Sequence, residues 1–366
     1  MLEYISYLLN LSSFSLKKKA TILILFIITG FPPVVLGKNN KQERYLQNKP
    51  TDYVCFVAVG DIMIGRGVNE SILKRTPKWP FEKLSKYLNN SDIVFGNAEF
   101  SIATSSPAIK EFILGASTTA IKSLKLSGFN IVSLANNHSF DFHNKGLLEL
   151  ISELDKLGIC YVGAGKTHQE AQEFKTITKK NTKISFLAYS LLEPDKILSE
   201  KNLPAMSMFS EEKLKDDIQK AKKSSDFVFV SFHWGIEYSS APTRYQKKVA
   251  HLAIDSGASV IIGHHPHVFQ GVEIYNKGII LYSLGNLIFD SKDKKTKEGL
   301  VFECLISSNS IHEPSLLPIY IENLRPTLPE DINYYKNIAQ EISILSKEFN
   351  TDIIFKKGRV YISYTK

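Results

Sequence analysis

The chain has 366 residues, with 45 basic against 37 acidic side chains, 43% hydrophobic content and three cysteines. That length and composition suit one large domain or two small ones with extensions, and they exclude a wholly disordered or fibrous protein. Cys55, Cys160 and Cys304 lie far apart with no CxxC pair, which argues against a zinc ribbon or a disulfide framework and leaves all three expected as buried small hydrophobes. The net charge is +8, but the first 50 residues hold seven basic and two acidic side chains, so the rest of the chain carries only +3, spread among both signs. No arginine-rich stripe survives that subtraction, and nucleic acid is not an expected partner.

In chain order, Lys17–Lys19 precede a run without charge from Ala20 to Gly37, the pattern of an export signal or, if it is not cleaved, a membrane anchor. Pro32 and Pro33 interrupt its second half, and a polar linker follows over 38–52. Lysines on the N-terminal side leave the remainder expected outside the cytoplasm, in the periplasm or at the cell surface. Residues 1–50 are therefore set apart from a domain over 51–325, with 326–366 read as a C-terminal appendage of a helix (332–349) and a strand pair around Lys357-Gly358.

Within the domain, β-rich runs at 54–59, 93–95, 131–134, 184–189, 227–232 and 260–262 alternate with helical runs at 78–89, 118–127, 146–157, 211–223 and 244–256. Val272–Tyr275 and Gly278–Tyr282 flank Asn276-Lys277, a hairpin signal. Such alternation predicts layered α/β structure.

The chemistry-bearing residues share one address, just past the C-terminal ends of these strands. VAVGDIMIGR carries Asp61 and Arg66, and IVFGNAEF carries Asn97 and Glu99. VSLANNHSFD supplies Asn136, Asn137, His138 and Asp141, and VSFHWGIEY supplies His233 and Glu237. VIIGHHPHVFQ brings His264, His265 and His267, and LYSLGNLIFD brings Asn286 and Asp290. Strand ends of an α/β sheet form one edge, where sites collect. Taken singly, Gly60-Asp61 reads as a turn, His233 as a core histidine and Asn136-Asn137 as turn formers. His265 and His267, two apart in extended chain, would point the same way and chelate a metal. Jointly, mixed imidazole, carboxylate and amide groups suit Mn, Fe, Zn or Ni better than an all-oxygen Mg or Ca cage.

The ordered set GDIMIGR, GNAE, LANNHSFD, HWGIEY, GHHPHVFQG and SLGN resembles the capsule-synthesis CapA family, associated with poly-γ-glutamate and placed in the calcineurin-like metallophosphoesterase superfamily. The resemblance covers about Tyr53 to Asp290 and implies a two-sheet α/β sandwich of the metallo-dependent phosphatase type, with one or two metal ions at the sheet ends. By position it implies Asp61, Asn137, His233, His265 and His267 as metal ligands, and His138 as the group acting on the leaving oxygen or the transition state. Two positions depart from the superfamily pattern: Met63 stands where a ligand histidine is expected, and Asn97 replaces the bridging aspartate, with Glu99 as the nearby carboxylate; Asn97 and Glu99 are both kept among the expected metal ligands. Asp141 is expected to orient His138, Glu237 to orient His233, and Arg66 to grip an anionic substrate.

The function implied is an exported, metal-dependent hydrolase or synthesis factor in the making of a capsule or poly-γ-glutamate-type anionic polymer, with a capsule synthase complex as partner. A general phosphoesterase and a non-catalytic assembly subunit are the alternatives.

Overall fold

The computed structural model describes residues 52–103, 112–193, 203–356 and 358–364. The anticipated leader, Lys17–Lys19 and Ala20–Gly37, and most of the linker lie outside them. Among the described residues no helix is long and apolar enough to cross a membrane.

Two sheets dominate, one of ten strands and one of six. In the larger, Val54–Ile62 is central: it runs parallel to Ile93–Ala98 and Asn286–Ile288, and antiparallel to Glu298–Ile306. In the smaller, Phe227–His233 lies parallel between Thr182–Ser190 and Val260–His264. Their central strands are buried along their whole length, as continuous apolar runs such as VCFVAV and FVFVSF require. The sheets meet through aromatic rings: Phe56 and Phe95 of the larger pack on Phe186 and Phe229 of the smaller, with Phe56–Phe229 centroids 4.8 Å apart and Phe95 stacked on Phe186 at 5.8 Å. Burying each such ring contributes roughly 1.5–3 kcal/mol.

Helices cover the outer faces. Glu211–Lys222 and Arg244–Ser256 bury Leu214, Ile218, Val249 and Ala253 in a core shared with Val228, Val230 and Phe232 of the smaller sheet. Ser210 and Thr243 cap these two helices, the second through a full capping box with Gln246. Thr118–Leu126 and His143–Leu157 place Ile121, Leu124, Leu147 and Leu150 in the core of the larger sheet. The chain thus forms the expected two-sheet α/β sandwich.

Several local expectations change. Residues 78–89 form only the 3₁₀ turn Trp79–Phe81 and the short helix Ser85–Leu88. A helix at Arg66–Lys74 and two long strands, Glu298–Ile306 and Ile311–Glu322, were not anticipated. Cys160 is exposed on the edge strand Cys160–Val162, whereas Cys55 and Cys304 are buried as expected. The hairpin at Asn276-Lys277 forms, both residues adopting the positive φ that its tight turn needs. Residues 351–356 and 359–364 pair with each other and extend the ten-stranded sheet, and the helix Ile332–Ser346 buries Ile338 and Ile342 in the same core.

Candidate metal centre

The register of the larger sheet sets Asp61 beside Asn97 on one side and Asn286 on the other. In the smaller sheet His233 pairs with His264. Asp61 is not in a turn: the strand continues through it to Ile62, and its backbone N–H donates to Gly285 O at 2.9 Å. That approach depends on Gly60, where a Cβ would stand 1.8 Å from Gly285 O.

These strand ends bring Asp61, Asn97, Glu99, His138, His233, His264, His265 and His267 into one buried cluster. Asn97 Nδ2 donates to Asp61 Oδ1 at 2.8 Å and faces Glu99 Oε2 at 3.4 Å and His233 Nδ1 at 3.3 Å. Its Oδ1 accepts from Asn136 Nδ2 at 3.1 Å, so Asn97 presents an amide nitrogen to the cluster, a hydrogen-bond donor rather than a metal ligand in this arrangement. Asn136 also donates to Ala98 O, and its Oδ1 accepts from the backbone N–H of His138, tying two strand ends together. Asn137 Oδ1 lies 2.9 Å from His233 Nε2.

Asp61 Oδ2 accepts from the His265 backbone N–H at 3.1 Å and lies 3.4 Å from His267 Nδ1, while Asp61 Oδ1 lies 3.2 Å from His264 Nδ1. His267 Nδ1 also lies 3.0 Å from Asn286 Oδ1, which is fixed in turn by donation from Asn286 Nδ2 to Thr296 O. Asn286 and His264 stood among the strand-end residues of the sequence without a role, and the one signal for them was that shared address. His265 and His267 do not sit in extended chain. Both have positive φ, +96° and +59°, and this turn rather than strand alternation brings their rings to 5.9 Å.

Burial and charge decide the protonation states. Burial opposes a charged Asp61, but His264 and His267 outweigh it and hold its carboxyl well below the usual carboxylate range. Burial, then the Asp61 charge, pushes Glu99 well up. Burial, then His265, depresses His233, and burial, then His267, takes His265 down to about 4. Burial also disfavours a charged His267, yet Glu99 and Asp61 raise it to about 9.

The donor chemistry fits a divalent metal. Asp61, Glu99 and His233 offer ligand atoms within 4.8 Å of one another, as do Glu237, His265 and His267. Glu99 Oε1 and His265 Nδ1 are buried without a hydrogen-bond partner, a cost of about 1–3 kcal/mol each that a cation would remove. Met63 is buried and its sulfur accepts from the Gly65 N–H, so it is engaged by backbone.

His138 stands beside this set. Its Nδ1 lies 2.8 Å from Asp141 Oδ2, which turns Nε2 toward Glu99 Oε1 at 4.0 Å. Arg66, 40% exposed, binds Asp290 through Nε and a second guanidinium nitrogen and lies over the Phe289 ring, so its fork is engaged at the rim. Glu237 is exposed and does not orient His233, whose two ring nitrogens meet Asn97 and Asn137 instead.

Among solved structures, the chain aligns with the 5'-nucleotidase precursor of Thermus thermophilus at 10% identity and TM-score 0.45, over 80% of this chain and 59% of that one. It aligns with the calcineurin-like phosphoesterase YfkN of Bacillus subtilis at 13% identity and TM-score 0.42, over 80% and 98%. In sequence it is 31% identical over 290 residues to the capsule biosynthesis protein CapA of Bacillus anthracis, covering 77% of this chain and 71% of that protein. It is likewise 31% identical to the PGA biosynthesis protein CapA of Bacillus subtilis (strain 168), covering 78% and 76%. The model of the bacterial capsule synthesis protein PGA_cap matches residues 55–291, a span that contains Asp61, His138, His233 and the 264–267 histidines, and the chain therefore belongs to that capsule synthesis family.

Proposed function

We propose that the protein is an exported, metal-dependent hydrolase or synthesis factor acting on an anionic capsule polymer of the poly-γ-glutamate type. Membership of the capsule synthesis family supports the polymer. The observation that carries the chemistry is the meeting of metal-type donors with an aligned imidazole–carboxylate pair, His138–Asp141, at one sheet edge.

Asp61, Glu99 and His233, with Asn137 at the same edge, are the residues to hold an ion, and His265 and His267 offer further imidazole donors beside them. A divalent cation held there would supply Lewis acidity, lowering the pKa of water and offsetting negative charge on the substrate. The protein's own groups do the rest. Asp141 accepts from His138 Nδ1 and so fixes the ring with Nε2 toward the cluster, where it can hold a proton for a departing oxygen or nitrogen. Neutral His233 and His265 are ready to donate lone pairs at pH 7, since both have depressed pKa values. Arg66, at the rim, is placed to exchange Asp290 for an anionic group of the substrate through its planar fork.

The test pairs metal analysis of purified full-length protein with a panel of phosphoester and γ-glutamyl substrates. Metal-dependent turnover of a γ-glutamyl polymer supports the reading, and turnover of generic phosphoesters alone replaces it with a general phosphoesterase. A metal-free, inactive protein that still supports capsule formation makes it an assembly subunit. Export is tested by a reporter fused after Lys366, active only outside the cytoplasm; cytoplasmic activity of the fusion would overturn it.

A further inference from the structure

Glu237 lies four residues past His233, on an exposed loop beyond the strand end. Two features carry the loop back over the histidine turn. Gly235 has φ +92°, a conformation open to glycine, and a Cβ there would meet the Gln246 side chain at 2.8 Å. Tyr238 has φ +64° and its backbone N–H donates at 2.8 Å to Pro266 O, the residue between His265 and His267. That bond locks the loop to the turn. Three non-glycine residues with positive φ, Tyr238, His265 and His267, therefore serve one arrangement, and such strain persists where surrounding structure enforces a site.

We propose that Glu237, His265 and His267 form a cation site of their own at the rim of the centre, with Glu237 as a direct ligand. This rests on the reading of the cluster as a metal centre and adds a ligand that the family resemblance does not assign. The three ligand atoms lie within 4.8 Å of one another. A tetrahedral site with bonds near 2.1 Å needs donors about 3.4 Å apart. The side chains must therefore close by up to about 1.4 Å, to which the exposed Glu237 contributes by rotation. His265 supplies the independent sign of a ligand: it is only 6% exposed and its Nδ1 has no hydrogen-bond partner. Two imidazoles and one carboxylate suit Zn, Mn, Fe or Ni.

The experiment titrates chelator-treated full-length protein with Zn²⁺ and, separately, Mn²⁺, reading stoichiometry by elemental analysis and affinity by calorimetry. Glu237→Gln keeps the shape, removes the charge and sits at an exposed position, so the variant folds. It should bind one equivalent fewer than the parent, or bind that equivalent at least about 100-fold more weakly, since even outer partners of metal ligands contribute 10–100-fold in affinity. Equal stoichiometry and affinity in parent and Glu237→Gln overturns the rim site while leaving the buried centre intact. A parent that binds neither metal overturns both. Glu237→Asp provides the second arm: partial recovery of the lost equivalent supports ligation, and no difference from Glu237→Gln counts against it.

Discussion

His138 Nδ1 and Asp141 Oδ2 are 2.8 Å apart, and the same carboxylate oxygen accepts from the backbone N–H of Leu114 at 2.7 Å. Asp141 therefore holds the imidazole and a neighbouring loop at once. The ring it fixes points its other nitrogen at the carboxylate of Glu99.

From this geometry, His138→Ala should leave metal content nearly intact while lowering kcat on the order of 10²-fold or more, the effect of removing a positioned proton donor. Asp141→Asn should lower kcat less, because it orients rather than transfers, and should lower stability by about 1–3 kcal/mol by disturbing buried hydrogen bonds. Both are read by kcat, metal content and thermal unfolding on the same preparations. Full activity of His138→Ala on every substrate that the parent turns over rules out the assigned mechanism.

His233→Ala and His265→Ala should each lower bound metal and Tm together, because an ion that binds only the folded state stabilises it by mass action. In chelator-treated protein the Tm difference between parent and either variant should shrink. Unchanged metal stoichiometry in both variants would show that these histidines serve packing alone.

Metal binding should release protons at neutral pH. His267 rises to about 9 in the metal-free protein, so it carries a proton at pH 7 that must leave before the ring ligates a cation. Glu99, also raised, acts in the same direction, whereas His265, near 4, is already neutral and releases none. The sign follows: apparent affinity falls as pH drops below about 9, by about tenfold per unit for each proton released. Calorimetry in buffers of different ionisation enthalpy measures the proton count directly, and a zero count at pH 7 would contradict the arrangement.

Gly60→Ala should damage the site through the backbone. Its Cβ would meet Gly285 O at 1.8 Å, forcing apart the strands that carry Asp61 and Asn286. Destabilisation of about 1–3 kcal/mol, as for overpacking, should come with lower metal content. Gly158→Ala is the control: φ is +62° at a helix C-cap, but the nearest atom to an added Cβ is 3.8 Å away. It should lower Tm modestly and leave metal content unchanged.

Much of this was legible in the chain. The run VCFVAV followed by Gly60-Asp61, and FVFVSF followed by His233, announce buried strands ending in polar side chains, and period-3.6 spacing such as Leu147, Leu150, Ile151 and Leu154 marks the helices. Such patterns are local, set by side-chain alternation and helical pitch within ten or so residues. The resemblance of the ordered motifs identified the family before any geometry was known, and the family match bears it out. Less visible was the helix at Arg66–Lys74, whose N-cap Gly65 makes no side-chain hydrogen bond and offers no start signal.

What the sequence alone determined is thus the inventory: α/β layers, the strand-end address, and imidazoles and carboxylates enough for a metal. Tertiary structure decided which atoms meet. Asp61 stands beside Asn97 and Asn286, both remote from it in the chain, because parallel pairing places their strands side by side. That pairing also sets Asn97 to donate to Asp61, while the loop bond from Tyr238 N–H to Pro266 O, not strand register, brings Glu237 to His265 and His267. Parallel strands need long crossover connections, so no short stretch of chain encodes which ends will touch; the register, enforced by burial of both sheet faces, does.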